Sequence, residues 1–112
     1  WPDRVAGITP GIDWSQSHTW SFEPLDEVAF PAVAMAKAVG AKAQTFPAVF
    51  NAANEQAVYA FHRGELPFLG ITEVIDHVLN AHGPVELSLD ALADTEAWAR
   101  ASADSEIARR RP

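Results

Sequence analysis

The sequence predicts an all-α protein: a small four-helix bundle-like domain over residues 31–112, preceded by a long, mostly non-helical connector arm over residues 1–30. Three observations carry this. Apolar residues recur at helical spacing in four separate segments after Pro31. Gly and Pro punctuate those segments at positions where helices stop and start. The first thirty residues hold three of the four Trp, three Pro and two Gly, with no sustained helical period.

The arm reads WPDRVAGITPGIDWSQSHTWSFEPLDEVAF. Within it Trp20-Ser21-Phe22-Glu23 alternates apolar and polar, as a short strand does, and Pro24 would stop it. Non-helical stretches of this length are uncommon inside a compact domain. Trp1 and Trp14 are therefore either anchors for a surface outside this chain or covers for the edge of the bundle's own core.

The first helix is expected from Pro31, whose missing N–H costs nothing in a first turn, to a left-handed stop at Gly40. The second opens at Thr45 with Pro47 in its first turn and ends at Gly64, with His62 and Arg63 in the last turn where the helix dipole favours positive charge. The third has Ile71, Val74, Ile75, Val78 and Leu79 on one stripe and is closed by Gly83-Pro84. The fourth is expected from about Asp94 to Arg110, capped by Asp94 or Thr95, with Ala97, Ala101 and Ala108 as a small-residue contact stripe beside Trp98. Residues 88–92 are expected to form an extra single turn before it.

A chain of 112 residues is one domain by prior, with room for a core but little for a deep lidded pocket. The net charge of −7 and pI near 4.9 argue against a nucleic-acid surface, since Arg109-Arg110-Arg111 is the one cationic cluster. The absence of Cys excludes disulfides, Fe–S clusters and thiolate zinc. No apolar run is long enough for a membrane span, and cytoplasmic localisation is expected. The chain opens on Trp1-Pro2 rather than Met, which suggests a fragment or processed product.

Candidate chemistry is sparse. Glu73 and His77 stand four apart and could share a metal, but nothing nominates a third ligand, and His77 and His82 are five apart. Asp26-Glu27 and Asp94 with Glu96 are read as charges at helix starts rather than an acid–base pair. No serine sits in a nucleophile-elbow frame, and no two glycines have phosphate-loop spacing. No catalytic, cofactor or metal residues are assigned. The stretch FPAVFNAANEQAVYAF, residues 46–61, poses the sharper question. Asn51, Asn54 and Glu55 share one face of an otherwise apolar helix. They could mark a hesitation and restart of the helix, bond to the backbone of the arm, or bind a ligand. A structural role is expected for all three, holding the second helix to the connector or a neighbouring loop.

The segments WPDRV, WSFEPLDEVAFPAVAMAKAVG, AVFNAANEQAVYAF and GELPFLGI, in that order, resemble the C-terminal part of the 1-deoxy-D-xylulose 5-phosphate reductoisomerase family over nearly the whole chain. Asn-Ala-Ala-Asn-Glu is the most specific of these; Gln56 departs from the family, which more often has an apolar residue there. The resemblance implies a non-catalytic domain of an enzyme that makes methylerythritol phosphate with NADPH and Mg or Mn in the non-mevalonate isoprenoid pathway. It implies that upstream domains bind the NADPH, the metal and the substrate phosphate, that this chain's partners are those domains, and that the parent is a homodimer. None of the family's ligand residues falls on these residues. The alternative reading is an independent helical interaction module using Trp14 or Trp20.

Overall fold

The computed structural model describes Gly7 and residues 10–111, so the expectation placed on Trp1 lies outside the described residues. Four helices follow the arm: α1 (Ala32–Lys42), α2 (Phe46–His62), α3 (Gly70–Ala81) and α4 (Leu89–Arg110). All-α is the fold class, as the sequence predicts. Among the described residues there is no strand, and the one expected at Trp20–Glu23 does not form. An isolated extended segment has no ladder partner for its backbone groups.

α2 is the central element and packs most extensively against α4 and α3, with α1 resting on α2 alone among its larger contacts. Its buried face is Phe46, Val49, Ala52, Ala53, Ala57 and Ala60. Ala99 and Ala103 of α4 are likewise fully buried. Small side chains on both helices let the backbones approach closely. Bulk comes from α3, which buries Val74, Ile75, Val78 and Leu79, and from Val39, Leu66 and Ile107. Each such aliphatic side chain contributes about 1.5–3 kcal/mol on burial.

The ends of α2 and α3 follow the sequence. Glu65 N–H donates to Ala60 O and Gly64 N–H to Phe61 O, both at 2.9 Å, while Gly64 takes φ +73°. That bond pair closes α2 as a left-handed glycine cap. Two other boundaries differ. α1 runs through Gly40 to Lys42, and Ala43 (φ 54°) and Gln44 (φ 51°) make the positive-φ turn instead. The break falls there because Val39 is the last residue of α1 buried in the core, and its carbonyl accepts the Ala43 N–H.

α4 begins five residues earlier than Asp94, at Leu89. Its cap is Ser88, whose Oγ accepts from Ala91 N–H at 3.0 Å. Asp94 and Thr95 are interior residues. The expected stripe of Ala97, Ala101 and Ala108 is exposed, and the buried face is Thr95, Ala99, Ala103, Glu106 and Ile107. Alanine occupies several faces of this helix, so alanine spacing carries no direction; the single large aliphatic, Ile107, marks the face that packs.

Candidate functional site

α2 carries the Asn-Ala-Ala-Asn-Glu run because its alanines, Ala52 and Ala53, face the core and turn the polar residues outward. Asn51 is exposed, while Asn54 and Glu55 are half-buried. Glu55 reaches α4, where its Oε2 accepts from Arg100 Nη2 at 2.6 Å. The same nitrogen donates to Glu96 Oε1 at 2.6 Å, so Glu96 serves an ion pair within α4 rather than a helix start. One residue on, Gln56 Nε2 donates to both carboxylate oxygens of Asp104, at 2.8 and 2.9 Å. Gln56, the departure from the family pattern, thus has a polar partner on α4.

Asn54 turns the other way. With Val58 it lines a cavity of about 230 Å³ whose remaining wall is Ala29 and Phe30 from the end of the arm, Ala32 at the start of α1, Phe68 and Leu69 from the loop before α3, and Ile71, Thr72 and Ile75 of α3. Among the described residues neither asparagine side chain makes a hydrogen bond within the protein. The arm enters this region through a turn held by Asp26, whose Oδ1 accepts from Val28 and Ala29 N–H at 3.0 Å each.

A second polar cluster lies at the far end of α4. Glu106 is buried; Arg110 Nε donates to its Oε1 at 2.6 Å and Arg109 donates to its Oε2. Burial pushes the Glu106 carboxyl up, but the Arg110 hydrogen bond and the nearby charges of His77, Arg109 and Arg110 outweigh it and hold the carboxyl below its usual range. Arg110 also pairs with Glu73, and Arg109 Nη2 lies 3.1 Å from His77 Nε2. The Glu73–His77 face considered as a metal site is therefore occupied by arginines. Nearby, the hydrogen bonds from Arg63 and from Arg111 lower Glu65 to about 2. This cluster pins the end of α4 to α3 and to the loop after α2.

His82, just past α3, joins three elements. Its Nε2 is 2.9 Å from the hydroxyl of the fully buried Thr45, its ring meets Phe46 edge-on at 4.9 Å, and Trp98 lies at 5.4 Å. Burial lowers its pKa. On the arm, Trp14 packs edge-on to Trp20 and His18, with His18 stacked on Trp20. His18 Nε2 donates to Asp13 O at 2.7 Å. This aromatic knot is exposed, as are Phe22 and Val28, at 91% and 94%.

The Glu55–Arg100, Gln56–Asp104 and Thr45–His82 bonds join residues 45, 48 and 37 apart. No local pattern announces such pairs. Among the described residues no three His, Cys, Asp or Glu side chains converge, so the donor set does not fit a metal ion.

A complete helical core, an apolar connector left outside it, and a small half-walled cavity where the two meet define an all-α domain with an extended N-terminal arm. The comparisons with known proteins say which one. Residues 1–102 match the profile of the DXP reductoisomerase C-terminal domain, and the chain belongs to that family. The 1-deoxy-D-xylulose 5-phosphate reductoisomerase of Leifsonia xyli subsp. xyli is 54% identical over 110 residues, covering 97% of this chain and 30% of that protein. That of Paenarthrobacter aurescens is 52% identical over 102 residues, covering 90% and 26%. A solved reductoisomerase from Zymomonas mobilis in complex with NADPH superposes with a TM-score of 0.77 at 30% identity, covering 96% of this chain and 29% of that one. The resemblance read from the sequence is confirmed. The chain spans less than a third of the length of each of these relatives.

Proposed function

We propose that this chain acts as the C-terminal structural domain of a reductoisomerase that converts 1-deoxy-D-xylulose 5-phosphate to methylerythritol phosphate, with NADPH and Mg²⁺ or Mn²⁺, in non-mevalonate isoprenoid biosynthesis. In this reading it braces the catalytic part and performs no chemistry alone. The observation that carries it is the contrast between a closed core and an apolar arm: Trp14, Trp20, Phe22 and Val28 are exposed, although the bundle needs none of them. Exposed apolar surface of this kind marks a contact, and relatives at about half identity carry roughly three times as much chain. Glu55 has a structural role in this reading, tying α2 to α4, while Asn51 and Asn54, whose side chains bond to nothing among the described residues, face the rest of the parent enzyme. NADPH and the divalent metal belong to upstream domains, consistent with the NADPH complex of the Zymomonas mobilis relative. The parent enzyme is a cytoplasmic homodimer. No described helix is long and apolar enough to cross a membrane.

The test is NADPH oxidation with deoxyxylulose phosphate and Mg²⁺, on the 112-residue chain and on the gene product that contains it. Turnover in the longer protein alone is expected. Turnover in the short chain overturns the supporting role, and turnover in neither favours a helical interaction module.

A further inference from the structure

The cavity at Asn54 has three properties that together specify an occupant. At about 230 Å³ it lies below the roughly 300–1,000 Å³ of small-molecule sites, so it suits a side chain rather than a metabolite. Its rim is apolar and open: Phe30 is 50% exposed, and Phe68 and Leu69 are each 56% exposed. Its polar wall is an amide. Asn54 offers a donor and an acceptor together, which matches the N–H and C=O of a peptide unit.

A helix surface has no free backbone groups to meet that amide, because they are spent within the helix. An extended segment has them. Val58 stands one turn after Asn54 and lines the same cavity, so an extended strand of chain laid along α2 meets an amide and then an apolar seat. A half-buried amide left unmatched is disfavoured, and pairing Asn54 with a backbone removes that cost.

We infer that this cavity is a docking seat for an extended segment of the parent reductoisomerase, lying upstream of the 112 residues, which inserts one apolar side chain between Phe30, Val58 and Leu69 and bonds its backbone to Asn54. The inference rests on the family reading above, under which the rest of the enzyme arrives along the arm. The end of that arm, Ala29 and Phe30, is itself part of the cavity wall. The occupant is therefore covalently connected to its seat through the arm, and a weak seat suffices to hold it.

The experiment places a photo-crosslinking amino acid at Leu69 in the full-length enzyme and maps the products by mass spectrometry. An intramolecular crosslink to a segment upstream of the 112 residues is expected. Crosslinks confined to residues 1–112, or joining two copies, overturn the inference. As a second measurement, Asn54→Ala in the full-length enzyme is expected to raise the rate of proteolysis within residues 10–30 about two- to tenfold, the loss of one backbone-to-amide hydrogen bond. Cleavage at the wild-type rate overturns it. Turnover of NADPH by the unmodified enzyme reports on the family reading separately, so turnover without the upstream crosslink removes the docking seat alone.

Discussion

His82 and Glu65 show how single side chains set this domain's response to acid. His82 is neutral-favouring because its ring is buried against Phe46 and Trp98. In the unfolded chain it titrates near 6.5, above its folded value, so the unfolded state takes up the proton first. Its contribution is complete above pH 6.5 and is lost as pH falls from there toward the lower folded value. His82→Gln, which keeps a partner for Thr45, should flatten stability against pH in that window, measured by urea unfolding at stepped pH. Glu65 acts in a lower window. The Arg63 and Arg111 bonds hold it at about 2 against an ordinary 4.5, so its contribution is present above pH 4.5 and lost as pH falls through about 2. Glu65→Gln should remove that part of the acid limb and leave the His82 window unchanged. The Arg109 and Arg110 clasp on Glu106 adds to the same acid limb, because its carboxyl is also held below the usual range.

At the scale of elements, the helices differ in how clearly their sequences specify them. α3 was legible in full, because its four buried aliphatics lie on a single stripe with no competing apolar face. The end of α2 was legible because Gly64 is required by its φ of +73°. Gly40 looked equivalent in sequence but sits inside α1, with open space where a Cβ would be. The same substitution should therefore have opposite signs. Gly40→Ala is expected to stabilise the domain by about 0.5–1 kcal/mol, and Gly64→Ala to destabilise it by about 1–2 kcal/mol, both read from thermal unfolding. The packed face of α4 was not legible, since spacing among alanines is the same on every face and only contact with α2 selects one. That selection has its own test. Ala103→Leu, into a fully buried contact, should cost about 1–3 kcal/mol, whereas Ala101→Leu on the exposed face should change stability by no more than about 0.5 kcal/mol. The Asn51, Asn54 and Glu55 face was visible in sequence as an interruption of the apolar pattern. Its partners were not, because Arg100 and the walls of the cavity come from other elements.

Across the whole molecule, the core and the apolar surface are divided between the two parts of the chain. Among the described residues every buried hydrophobic one lies at or beyond Val39, whereas residues 10–28 are exposed throughout. The radius of gyration, 18.1 Å against about 13 Å for a compact domain of this length, reflects an arm that stands away from the bundle. An arm that adds no core adds little stability, and an apolar arm in water favours self-association. Deleting residues 1–24 keeps the Asp26 turn and the cavity wall at Ala29, Phe30 and Ala32, and residues 10–24 are exposed, adding nothing to the core. The midpoint of thermal unfolding is then expected to move by less than about 4 °C, which corresponds to under roughly 1 kcal/mol for a domain of this size. Light scattering coupled to size exclusion should show the 112-residue chain associating as its concentration rises and the shortened chain staying monomeric. A large fall in the midpoint would mean that Trp14, Trp20 and Phe22 cover this bundle rather than a surface elsewhere in the parent enzyme. In that case the bracing role would have to rest on the cavity at Asn54 alone.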